Sequence, residues 1–218
     1  MVTYLVEESV TYAFDVLRNS DASCRYSIGK SEVVASVHGP IEARSTAASA
    51  DGLVCDITVR RSSGVPTGAE RYIEVLFQSL LPRLIETVKY PYAQLLVSIE
   101  ILSDAGSTYA AAFNAMVFAL LRSGLAVKQI ILASSVAQNE NQLALNPSKS
   151  SEMDAAVAVT LFIDVESGGI IDTASSHGKC TLQNLQQFKV EAVRSVREQL
   201  KSVTERLAAL HPQTQSRW

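Results

Sequence analysis

Few side chains in this 218-residue chain are able to do chemistry, and their spacing narrows the choice further. Any imidazole chemistry falls to His38, His177 and His211. His38 reads as a strand end, His211 precedes Pro212 in a polar tail, and His177 sits in Ser175-Ser176-His177-Gly178, which reads as a loop. No Gly-x-Ser-x-Gly elbow precedes it, so a hydrolase triad is not expected. Glu152, Asp154 and Asp164 are the carboxylates near a long apolar strand. Glu152 and Asp154 stand two apart, a spacing that on a strand puts both on one face. Ser148 and Lys149 occupy the positions where a further carboxylate would complete a set. Cys24, Cys55 and Cys180 are odd in number and widely separated, which fits reduced thiols better than disulfides or zinc. Neither a metal site nor a cofactor is expected from these residues; a carboxylate pair is possible, a full set is not.

The turn Asp104-Ala105-Gly106-Ser107-Thr108 lies between an apolar strand and an alanine-rich helix. Backbone N–H groups at such a helix start suit a phosphate, while Ser107 or Thr108 in an ordinary capping role is the favoured reading of the residue types. Basic residues are local: Arg60-Arg61, Arg71, Arg83, Lys89 and Arg122. Arg60, Arg61 and Arg71, with Gly106, Ser107 and Thr108, are the candidates for touching phosphate or an RNA backbone. The formal net charge of −3 supplies no global basic field, and the aromatic residues form no ribonucleoprotein-type stacking motif. Tight, autonomous RNA binding is therefore not expected.

These residues must be positioned by a packed domain. Apolar residues make up 47% and charged residues 19%, a globular balance, and a chain of this length buries enough surface to fold without staples. Met1–Val10 carries Glu7 and Glu8 and no basic leader, so it reads as neither signal nor transit peptide. Tyr109–Leu121 is too short to span a bilayer, so no membrane segment is expected and the protein is expected to stay inside the cell.

Alternation of apolar residues predicts a hairpin, Cys24–Ile28 and Ser31–His38 around Gly29-Lys30, ended by Gly39-Pro40, and a third strand over Val54–Arg60. Helical spacing follows from Glu70 to Val88, with Pro82 expected to kink or bound it. Then come a strand at Leu95–Leu102, a helix at Thr108–Arg122, and strands at Gln129–Val136, Ala155–Val165 and Ile170–Ala174, the last pair joined at Gly168-Gly169. A helix over Leu182–Leu210 carries one apolar stripe, expected to pack on a sheet with a partner surface as the alternative. The order argues an α+β fold of two related halves.

Cys24-Arg25-Tyr26-Ser27-Ile28-Gly29-Lys30-Ser31 through His38-Gly39-Pro40, then Val59-Arg60-Arg61-Ser62-Ser63-Gly64-Val65-Pro66 and Ser103-Asp104-Ala105-Gly106-Ser107, resemble the RNase PH family, and within it the ring subunits of the eukaryotic RNA exosome. The resemblance implies an RNase PH-like fold of two βαβα-type halves, ribosomal protein S5 domain 2-like. It covers about 24–207 and divides the chain into an extension (1–23), a single domain (24–210) and a polar tail (211–218). It also implies sibling RNase PH-type subunits in a six-membered ring, cap proteins with S1 and KH modules, RNA reached through the assembled channel, and residence in nucleus, nucleolus and cytoplasm.

Active members of the family, which split RNA with phosphate, are expected to carry Gly-Thr-Arg where this chain has Gly106-Ser107-Thr108. Their other arginine falls near Gly68 and their two acidic residues on Ser148 and Asp154, so only Asp154 keeps its charge. A charged hydrogen bond contributes about 1.5–3 kcal/mol, so losing two arginines costs about a hundredfold or more in phosphate affinity. The family's Gly-Asp-Thr is Gly29-Lys30-Ser31 here. A non-catalytic ring subunit is the leading expectation, and a phosphorolytic exoribonuclease completed by a neighbour is the alternative.

Overall fold

The computed structural model describes residues 3–5, 9–44, 49–65, 67–139, 142–178 and 180–210. His211 and the tail 211–218 lie outside them, as do Glu7, Glu8 and Pro66.

The first half is a five-stranded sheet in the order β2-β3-β4-β6-β5. Its strands are β2 (Val10–Phe14), β3 (Ala22–Ile28), β4 (Ser31–Glu42), β5 (Val54–Arg61) and β6 (Ala93–Ser103). The hairpin forms as its alternation predicts, Ile28 opposite Ser31 across Gly29-Lys30. Gly39-Pro40 does not end the strand. It lies in a register shift between His38 and Ile41, and β4 resumes to Glu42 along β6. The predicted third strand is present but pairs parallel with β6, because α1 (Gly68–Leu84) crosses between them, as a parallel pair requires. Pro82 falls in the last turn of α1, and the helix stops at Leu84 instead of running to Val88. A short 3-10 turn, Thr87–Lys89, follows.

The second half is a sheet in the order β1-β8-β7-β9-β10. It contains β1 (Thr3–Leu5), β7 (Ile131–Asn139), β8 (Gln142–Leu145), β9 (Val157–Asp164) and β10 (Ile170–His177). His177 is thus the last residue of a strand paired with Ala158, where a loop was expected. Three short strands escape the pattern: β1, with three residues, β8, with four, and β2, whose Val10–Phe14 pairs with Ile28–Cys24. Part of the segment 1–23, read as an extension, therefore lies within the first sheet.

Between the sheets runs α2 (Thr108–Ser123), buried continuously from Ala110 to Leu120. Its alanines let both sheets approach closely, while Phe113 meets Phe77 of α1 at 5.1 Å and Phe162 of β9 at 4.8 Å between ring centroids, both edge-on. Asn114, the polar residue in this run, is fully buried and fully used. Its amide oxygen accepts from the Ala133 N–H at 2.7 Å, and its nitrogen donates to the Ala133 carbonyl at 2.9 Å and to Tyr26 Oη at 3.2 Å. The Tyr26 hydroxyl donates in turn to Gln199 Oε1 of α4 (Leu182–Leu210) at 3.0 Å. One amide thereby ties together both sheets, the central helix and the last helix. Among the described residues no helix is long and apolar enough to cross a membrane.

Candidate functional site

The turn Asp104–Thr108 delivers β6 into α2, and its shape depends on two small residues. Gly106 has φ +113°, and a Cβ there would lie within 2.4–2.5 Å of the backbone of Pro147, Ser148 and Lys149. Only glycine permits this approach of the loop before α3 (Lys149–Asp154) to the turn. Ser31, fully buried at the start of β4, clamps the same turn from the other side. Its hydroxyl donates to the Gly106 carbonyl at 2.5 Å and accepts from the Ala105 N–H at 2.9 Å.

Neither Ser107 nor Thr108 caps the helix in the ordinary way. Ser107, in the left-handed region at φ 54°, donates its hydroxyl to the Pro147 carbonyl at 2.9 Å. Thr108 donates to Asp104 Oδ1 at 2.7 Å. The group at the helix start comes from elsewhere: Glu152 Oε2 accepts the Ser107 N–H at 3.2 Å. A carboxylate from this chain thus holds the position where the geometry would receive an anion.

Around it lies a network of charges. Arg61 donates through Nε to Glu70 Oε1 at 2.6 Å and through Nη1 to Asp104 Oδ2 at 3.0 Å, an oxygen that also accepts from Lys149 Nζ at 3.1 Å. Glu70 is buried at the start of α1 and accepts from the N–H of Thr67 at 2.6 Å and from its hydroxyl. The Thr67 hydroxyl holds the Glu70 carboxyl down to about 2 against the effect of burial, helped by backbone amides and Arg61. Burial pushes Asp104 up, but hydrogen bonds from Thr108, Lys149 and Arg61 outweigh it and leave its pKa below the ordinary value. The network sets Glu70, Asp104 and Glu152 against Arg61 and Lys149, three carboxylates against two cations. A cavity of about 240 Å³ opens over it, walled on its apolar side by Ala69, Ile73, Tyr109 and Met153.

Of the residues singled out from sequence, the fold brings together Arg61, Gly106, Ser107 and Thr108 and leaves three apart. Arg60 alternates to the other face of the edge strand β5 and is exposed. Arg71 is exposed and donates to Glu74 at 3.1 Å. Asp154 is exposed and does not line the cavity. The expected strand face shared by Glu152 and Asp154 does not exist, because Lys149–Asp154 is a short helix, α3, on which residues two apart diverge. Gly68 opens α1, and Ser148 caps α3 by accepting the Ser151 N–H.

Glu70 escaped sequence reasoning, although Thr67-x-x-Glu70 before an apolar run is the signature of a capping box. Ser31 and Lys149 had no such local signal. All three cysteines are free thiols, with burial pushing Cys24 up to about 12 and Cys55 to about 11. Among the described residues no cluster of three metal-ligating side chains occurs.

Two mixed halves pack around a buried helix with a strand-to-helix turn at their junction, and residues 8–126 match the model of the 3′ exoribonuclease family, domain 1, of the RNase PH type. The chain belongs to this family. Among its relatives is the putative exosome complex component RRP41 of Caenorhabditis briggsae, 28% identical over 66% of this chain and 64% of the relative. Another is the exosome complex component rrp46 of Schizosaccharomyces pombe, 31% identical over 53% and 51%. The matches thus span less than two thirds of these curated relatives. The fold of rice Rrp46 superposes with a TM-score of 0.76 at 18% identity, covering 96% of this chain and 95% of that one.

Proposed function

We propose that this chain is a non-catalytic subunit of an RNA exosome core ring, one that helps form the channel through which RNA is threaded for 3′-to-5′ processing and decay, including ribosomal RNA maturation and messenger RNA turnover. The observation that carries this reading is the hydrogen bond from Ser107 N–H to Glu152, which fills the anion position with an internal carboxylate. The surrounding excess of carboxylates repels phosphate, and the two positions where the family resemblance implies arginine are Gly68 and Thr108. With those two arginines absent and Ser148 in place of one of the two acidic residues the resemblance implies, the domain contributes shape to an assembly.

The partners that follow are sibling RNase PH-type subunits on either side, S1 and KH-type cap proteins above, and RNA within the assembled channel. The compartments are the nucleus, the nucleolus and the cytoplasm. Affinity purification of the tagged chain at near-native expression, with mass spectrometry, tests the assembly. A phosphate-dependent RNA degradation assay on the chain alone tests the chemistry. Recovery of several RNase PH-type siblings together with an inactive isolated chain is the expected result. Phosphate-driven RNA shortening, lost in Asp154→Asn, would instead support an exoribonuclease whose site a neighbour completes.

A further inference from the structure

The last helix carries more than the stripe that holds it in place. Phe188, Ala192, Val196 and Val203 of α4 are buried and pack it on the second sheet. A neighbouring stripe, Lys189, Val190, Arg194 and Arg197, is exposed, with Val190 66% accessible, and Val193 beside it is half-buried against the core. Valine is a poor choice for a solvent-facing helix position, where it loses rotamer freedom and gains no packing. Between this stripe and the Ser167-Gly168 turn that joins β9 to β10 lies a groove of about 710 Å³. Gly168 lacks a side chain where a Cβ would rest 3.6 Å from both Val193 and the Arg197 guanidinium, so the floor stays open.

The charge around this groove runs against that of the chain. The protein carries a net −3, yet Lys189, Arg194 and Arg197 line the groove with Glu198 as its single carboxylate. Arg194 pairs with Glu198 at 3.2 Å, an exposed contact of small value. Lys189 has no carboxylate partner among the described residues, and Arg197 Nε reaches only the Val165 carbonyl at 3.5 Å. Two cations thus flank an apolar floor without an ion-pair partner among the described residues.

We propose that this groove docks an acidic segment of a partner protein, seating one apolar side chain against Val190, Val193 and Gly168 while flanking carboxylates meet Lys189 and Arg197. A protein segment fits better than RNA. Among the described residues no aromatic side chain lines the groove to stack a base, and its floor is aliphatic, so RNA would gain the cations alone while a peptide also buries an apolar side chain. The inference stands on this surface alone, independent of ring membership.

Fluorescence anisotropy on the full chain tests it with a peptide carrying fluorescein on its N-terminal amine, Glu-Asp-Leu-Phe-Asp-Glu-amide, its Ser-Ser version in place of Leu-Phe, and labelled oligoadenylate RNA. The Leu-Phe peptide is expected to bind, more weakly as salt rises. Val190→Asp and Arg197→Glu, both at exposed positions and checked for fold by circular dichroism, are each expected to weaken it about tenfold. The Ser-Ser peptide should lose a similar factor. Absence of peptide binding, equal binding of the Ser-Ser version, indifference to both variants, or RNA binding tighter than the peptide would each overturn the proposal.

Discussion

The Glu152 carboxylate accepts a hydrogen bond from the backbone N–H of Ser107 at 3.2 Å, so a side chain from α3 holds the start of the central helix. It is carried there by backbone contact: the Lys149 N–H donates to the Ala105 carbonyl at 2.6 Å, and Gly106 leaves no room for anything between turn and loop. An anion entering this site would have to displace a tethered carboxylate. It would then face Asp104, with no arginine at Thr108 to receive it.

Titration calorimetry with inorganic phosphate is therefore expected to show no binding to the wild-type protein. Glu152→Gln together with Thr108→Arg removes the competing charge and adds a charged donor worth about 1.5–3 kcal/mol, so phosphate affinity should rise about tenfold or more. Unchanged heats in the double variant would show that Glu152 does not guard the site.

Gly106→Ala is expected to destabilise the protein by at least about 2 kcal/mol in urea unfolding, since it combines a backbone clash with a φ that L-residues avoid. The α3 loop must move to admit the Cβ, so amide exchange in 147–152 should accelerate in the same variant.

Asn114→Leu is nearly matched in size but strands the Ala133 N–H and carbonyl and removes a partner of Tyr26 in the buried interior. Unsatisfied buried groups cost about 1–3 kcal/mol each, so a loss of about 3 kcal/mol or more is expected from chemical denaturation. A variant as stable as the wild type would show that the amide network contributes no net stability.

Acid unfolding should report Glu70. Its carboxyl titrates at about 2 in the folded protein against an ordinary 4.5, so between those values the unfolded chain binds more protons and stability falls as pH falls. Above about 4.5 the contribution is complete, and below about 2 it is gone. Urea midpoints measured between pH 2 and 5 should show a shallower pH slope in Glu70→Gln than in the wild type.

Much of the architecture was legible along the chain. The hairpin at Gly29-Lys30, the helices α1, α2 and α4, and the strands β5, β6, β7, β9 and β10 each follow from apolar spacing and turn residues acting over a few positions. The short strands β1, β2 and β8 were not, because three to five residues carry too little alternation to register. The helix α3 was hidden for a related reason: six residues without an apolar face look like a strand flank as readily as a helix.

The site divides the same way. Sequence alone determined that Gly68, Thr108 and Ser148 carry no charge where the family resemblance implies charged residues at or near them, since that depends on residue identity at a position and on nothing distant. It could not determine what replaced them. Glu152 meets Ser107 across 45 positions, Arg61 meets Asp104 across 43, and Ser31 clamps a turn 75 residues away. Such pairings are set by how the two halves pack around α2, and local spacing does not encode a contact that only the packed core brings within hydrogen-bonding distance.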